Sequence, residues 1–131
     1  MKKIKKEVEQ CMTVLTSEGH THTSRFLFPE EFIGFQGHFP DKKILPGVCQ
    51  LQAVLTTLEK ADKQTVELKE IMSAKYFAPI LPGEELTCVC SDLPENEDNS
   101  TVKAVISRKE TKIAEFKLRV RFAQEHKGRT T

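Results

Sequence analysis

Two neighbouring segments carry the residue types best suited to chemistry. In Phe35-Gln36-Gly37-His38-Phe39-Pro40, His38 sits in a loop pinned by Gly37 and Pro40, so its ring can be held in one place. An imidazole titrates near pH ~6.5, which suits moving a proton at neutral pH. A few residues on, Pro46-Gly47-Val48 opens a helix. The unpaired amides of such a first turn, with about half a positive charge from the helix dipole, can polarise a carbonyl oxygen. Gly47 has no side chain, so a substrate could approach that backbone closely. The plain alternative is a loop histidine bonded to backbone and a glycine that serves a turn.

Something must hold these segments opposite each other. Pro46 suits a helix start because its φ is fixed and it lacks an amide hydrogen that would go unpaired there. Val48, Leu51, Leu55 and Leu58 recur at three- and four-residue steps, with Val54 and Ala61 widening the stripe, so a long helix is expected over residues 46–62. Gln52 and Glu59 fall on or beside that arc and must find partners if buried. Before it, residues 7–16 are β-leaning and residues 20–28 alternate, which predicts a hairpin around Ser17-Glu18-Gly19; residues 29–43 read as an ordered loop. After it the period becomes two: strands are expected over 66–77, around Leu86, Cys88 and Cys90, and around Val102, Ala104 and Ile106. The last strand is the clearest, with Ala114, Phe116, Leu118, Val120 and Phe122 facing one way and Glu115, Lys117, Arg119 and Arg121 the other. One helix cannot cover both faces of such a sheet, so an α+β arrangement follows in which a curved antiparallel sheet wraps the helix. Residues 1–123 form the single domain expected, and residues 124–131 a polar tail expected to be mobile.

Composition narrows the function classes. A chain of 131 residues suits one core. With 20 basic against 19 acidic residues, no Trp and one Tyr, there is no basic aromatic surface for nucleic acid. MKKIKKEVEQ starts like a signal peptide but reaches no apolar stretch, and no window approaches a membrane span, so a cytoplasmic protein is expected. Cys11, Cys49, Cys88 and Cys90 form no CxxC pair; Cys88 and Cys90 share a strand face and read as packed free thiols. His20 and His22 stand two apart, but no Asp, Glu or Cys close in sequence completes a site, so no metal is expected.

The run FQGHFPDKKILPGVCQLQ resembles the signature of the 3-hydroxyacyl-acyl-carrier-protein dehydratases: F-x-G-H-F-P, a proline, P-G-V, then an acid on the helix. The run AKYFAPILPGEEL resembles the same family's later strand and turn. The resemblance implies the hotdog fold and a homodimer or higher oligomer with sites at the interface. It also implies a thioester substrate carried on acyl carrier protein or coenzyme A, and no cofactor. His38 stands where that family has its proton-abstracting histidine, and Gly47 where a backbone amide holds the thioester oxygen. Pro40, Pro46 and Val48 match positions that shape the loop and helix entry; Phe35 and Phe39, with Phe32, are candidates to line the acyl chain.

Fourteen residues after His38, where the family has its acid, stands Gln52. An amide does not titrate and cannot be a general acid, a role typically worth about 10²–10⁴ in rate. Glu59 lies roughly 10 Å further along the helix, too far to substitute, and Asp41 maps to the loop surface. Lys43 replaces a frequent proline, and with Lys42 it could attract the phosphate of a pantetheine arm. The expected activity is therefore dehydratase-like; a thioesterase or a non-catalytic acyl-thioester-binding relative is the alternative.

Overall fold

The computed structural model describes residues 2–36 and 43–123. An N-terminal helix α1 (Lys2–Gln10) leads into β1 (Met12–Glu18) and β2 (Thr21–Leu27). A short 3₁₀ turn (Ile33–Phe35) precedes the central helix α2 (Gly47–Asp62), and four strands follow: β3 (Thr65–Tyr76), β4 (Glu85–Pro94), β5 (Asn99–Arg108) and β6 (Thr111–Ala123). They form one six-stranded antiparallel sheet in the order β1-β2-β4-β5-β6-β3, curved around α2. The α+β hotdog expected from the sequence is the fold observed. The tail over residues 124–131 lies outside the described residues.

The alternation of β6 is borne out: Ala114, Phe116, Leu118 and Val120 are buried on the helix side. Leu86, Cys88 and Cys90 of β4 are buried on the same side. Burial pushes the Cys11 thiol up to about 11 and raises that of Cys49, so both stay protonated and pack as small apolar groups.

Two expectations need correction. Residues 7–10 are helical, not β: Ile4 and Val8 stand one turn apart and face α2, and Val8 is fully buried. Lys5 and Glu59 pair at 3.1 Å, and Lys60 with Glu9 at 3.8 Å, across the two helices. So short a helix gains its stability from that packing, which local propensity does not report. The buried face of α2 is also rotated from the predicted stripe. It consists of Cys49, Gln50, Ala53, Val54, Thr56, Thr57 and Leu58, while Leu51 and Leu55 are partly buried and Val48 is exposed. Small side chains let the sheet close on the helix, and Thr57 satisfies its hydroxyl with the Ala53 carbonyl at 2.8 Å and Ser24 of β2 at 2.7 Å.

The segment before α2 is anchored to the core. Phe28 and Phe32 pack at 4.8 Å between centroids, and Phe32 meets Phe35 edge-on at 5.9 Å. Leu45 is buried and donates its amide to the Ile80 carbonyl at 2.9 Å. The start of α2 is thereby fixed against the end of the β3–β4 connection.

Candidate functional site

Pro46 is the residue before the first turn of α2, with extended backbone and no side-chain cap. The first amides to bond within the turn are those of Cys49 and Gln50, both donating to the Pro46 carbonyl, at 3.0 and 3.2 Å. The Gly47 and Val48 amides precede that ladder and have no partner among the described residues. In front of them opens a cavity of about 380 Å³ whose walls include Ile44, Leu45, Gly47, Gln50, Tyr76 and Phe77. It is mainly apolar, with donors and acceptors concentrated at the helix start.

Gly47 lets Tyr76 pack close over the helix start. A Cβ placed there would lie 2.7 Å from Tyr76 Oη and 2.8 Å from its Cζ. Tyr76 stands at the end of β3, with its ring edge-on to Phe116 at 5.7 Å and 49% of the residue exposed. Burial of the other half pushes the phenol above its ordinary pKa, so it stays protonated and can donate a hydrogen bond. Sequence reasoning missed Tyr76. Its place in AKYFAPILPGEEL, just ahead of the strand-ending Pro79, was the available signal.

The other predicted residues divide. Gly47 and Pro46 stand at the helix start, and Val48 is exposed beside it. Phe35 is a core residue and is not among the walls of this cavity. Gln52 is not among them either; it is half-buried and donates Nε2–H to Thr56 Oγ1, one turn on, at 3.1 Å. The glutamine that faces the cavity is Gln50. Its Nε2 donates a long 3.4 Å bond to the Leu45 carbonyl, and its buried Oε1 has no partner among the described residues. Glu59 is structural, accepting the Val66 amide at 2.9 Å. His38, Phe39, Pro40, Asp41 and Lys42 lie outside the described residues, while Lys43 pairs with Glu30 at 3.4 Å.

A larger groove of about 1020 Å³ lies beside the β5–β6 turn. Its charged walls neutralise one another, as Arg108 does with Glu84 at 2.9 Å, so size alone does not make it the site.

The far end of α2 corrects a further expectation. His22, for which the sequence offers no nearby acid, is 4% exposed and points inward from β2. Two acids remote in sequence reach it. Asp92 of β4, also 4% exposed, places Oδ2 at 3.4 Å from His22 Nε2, and Asp62, the last residue of α2, places Oδ1 at 3.9 Å. Burial pushes the Asp62 carboxyl above its usual range; His22 offsets this in part, and Asp92 adds to it.

Comparison with known proteins agrees with this architecture. The profile of the ApeI-like family, described as ApeI dehydratase, matches residues 14–120. A 3-hydroxyacyl-[acyl-carrier-protein] dehydratase of Bartonella quintana is 40% identical over 60 residues, covering 40% of this chain and 39% of that one. Its counterpart in Bartonella henselae is 30% identical over 92 residues, covering 64% and 59%. The chain thus spans less than two-thirds of the length of these relatives. Among solved structures, the dehydratase heterocomplex ApeI:P of Xenorhabdus doucetiae superposes with a TM-score of 0.69 at 19% identity, over 84% of this chain and 96% of that one. The PaaI protein of the E. coli phenylacetic acid degradation operon gives 0.70 at 10% identity, over 92% and 91%. These likenesses establish a shared fold. With the profile match extending over most of the domain, the chain belongs to the ApeI-like dehydratase family.

Proposed function

We propose that this protein is a cytoplasmic hydro-lyase that interconverts 3-hydroxyacyl and 2-enoyl thioesters of acyl carrier protein or coenzyme A, in fatty-acid-type metabolism. The observation that carries the reading is the uncapped start of α2, where the Gly47 amide has no partner among the described residues and lies beside an apolar cavity under Tyr76. A thioester oxygen placed at the Gly47 amide would gain charge as His38 removes the proton from the carbon next to the carbonyl. The C2–C3 double bond then forms as the C3–O bond breaks, and the hydroxyl leaves as water with the proton that His38 took up. Tyr76 Oη, close to Gly47, offers a second donor to the same oxygen. Phe39, Pro46 and Val48 would shape the entry for the acyl chain.

The hydroxyl must leave with a proton, and here Gln52 departs from the resemblance. It can hydrogen-bond the hydroxyl but cannot protonate it. This favours a second reading, a thioesterase or an acyl-thioester-binding subunit that works beside an active partner. The solved relative from Xenorhabdus doucetiae is a dehydratase heterocomplex. On either reading a second copy of the chain is the proposed occupant of the β3 edge. Among the described residues that strand pairs with β6 on one side only and exposes Ile71, Met72 and Tyr76, the open edge that sheet proteins normally cover.

Purified protein given a 2-enoyl thioester distinguishes the readings. Loss of absorbance from the conjugated double bond supports the hydro-lyase, and release of free thiol supports the thioesterase. Neither signal, with retained binding of an acylated carrier, leaves the binding subunit. Gln52→Glu sharpens the result: hydration should rise at least about tenfold if position 52 faces the 3-hydroxyl. An unchanged rate in a folded variant removes Gln52 from the site.

A further inference from the structure

We infer that His22, Asp62 and Asp92 form a binding site for a divalent transition-metal ion of the zinc type, which ties the end of α2 to β2 and β4. The three side chains present Nε2 and two carboxylate oxygens, all within 4.8 Å of one another. His22 Nε2 is the decisive atom. It is buried and has no hydrogen-bond partner among the described residues although two carboxylates stand nearby, so neither contact has hydrogen-bond geometry. Ligand atoms sharing one tetrahedral zinc, at bond lengths near 2.0–2.2 Å, are separated by roughly 3.4 Å. The His22–Asp92 separation is 3.4 Å, and the 3.9 Å to Asp62 closes with a small turn of a side chain that is 31% exposed.

The surroundings fit a cation. Two carboxylates converge where α2 ends, and that helix terminus adds about half a negative charge of its own. Outer partners hold the ligands as metal sites require. Ser17 Oγ lies 2.8 Å from His22 Nδ1, and accepting the Nδ1 proton leaves the Nε2 lone pair directed at the acids. His20 Nδ1 lies 3.1 Å from Asp92 Oδ1, turning the other oxygen toward His22. One imidazole with two carboxylates favours zinc, cobalt or nickel over calcium or magnesium, which prefer all-oxygen shells. Water completes the coordination. The site is roughly 22 Å from Gly47 by helix rise, so its role is to fasten the fold and not to act on the thioester.

The test uses the full chain stripped by a chelator and titrated with Zn²⁺ in a calorimeter, with Co²⁺ as the spectroscopic probe. One equivalent should bind per chain and raise the melting temperature by several degrees. Binding should be lost in His22→Gln and in Asp62→Asn, and weakened about 10–100-fold in Ser17→Ala. Asp62 is partly exposed, so its asparagine variant remains folded even if the His22 variant does not. Cobalt must show no thiolate charge-transfer band, since that band would mean capture by Cys88 and Cys90. That band, absence of stoichiometric binding, or equal affinity in Asp62→Asn overturns the site.

Discussion

At its first turn α2 presents Gly47 beside exposed Val48 and half-exposed Tyr76; at the other end of the same 16-residue helix, Asp62 meets buried His22 and Asp92. The first end offers backbone amides with a small open cavity before them. The second offers an imidazole and two carboxylates whose contacts with one another are not hydrogen bonds. One helix thus exposes donors where its dipole is positive and gathers acceptors where it is negative. An open end with unused amides suits a substrate that comes and goes. A closed end of converging ligands suits an ion that stays. If this division is real, changes at one end should leave the other untouched.

The largest effect expected is that of His38→Ala. Losing the proposed general base should lower hydration of a 2-enoyl thioester about 10²–10⁴-fold. The melting temperature and the uptake of Zn²⁺ should not change, because the ligands proposed at the Asp62 end are His22, Asp62 and Asp92. Persisting turnover would remove His38 as the base. A parallel loss of zinc binding would show that the two ends are coupled.

Gly47→Ala comes next. The added methyl would fall 2.7 Å from Tyr76 Oη, and the phenol, being half exposed, can swing aside. We expect a stability cost under about 1 kcal/mol, below the usual range for overpacking, because the neighbour is not locked in the core. Activity should fall roughly tenfold or more, since the methyl occupies the approach to the amide. Gly34→Ala is the control. Its methyl would meet Cys49 Sγ at 2.8 Å and the buried Phe32 ring, so it should cost about 1–3 kcal/mol. Thermal melts and initial rates on the two variants check the contrast, and a reversed pattern would mean that the tight spot at Gly47 is merely structural.

The two ends also differed in how readily they could be read. Pro46-Gly47-Val48 is contiguous, so helix-start chemistry was visible from residue types alone, and the strands of period two stand where their alternation places them. His22, Asp62 and Asp92 belong to three separate elements. They meet only because β2 pairs with β4 in a register that sets His22 opposite Cys90, and because α2 ends over that point. One part was legible in retrospect: Leu86, Cys88, Cys90 and Asp92 keep a period of two, which places the aspartate on the buried face. The rotated face of α2 escaped notice because Thr56 and Thr57 count as polar, yet they bury readily once a hydroxyl returns to the helix backbone. Tyr76 was passed over because its partner, Gly47, is a backbone position that presents no side chain to match.

The smallest effect expected lies between the two ends, at Ser24. Its hydroxyl meets Thr57 Oγ1 at 2.7 Å, a fully buried link between β2 and the middle of α2. Ser24→Ala deletes one partner, but Thr57 still donates to the Ala53 carbonyl at 2.8 Å, so no donor is orphaned. The cost should therefore be near 1 kcal/mol, that of one ordinary hydrogen bond, and not the larger penalty of a stranded polar group. Denaturant melts measure it. Hydration rate and zinc affinity should both stay within about twofold of the wild-type protein. A large change in either would mean that the helix transmits strain along its length, and the two ends could no longer be treated as independent.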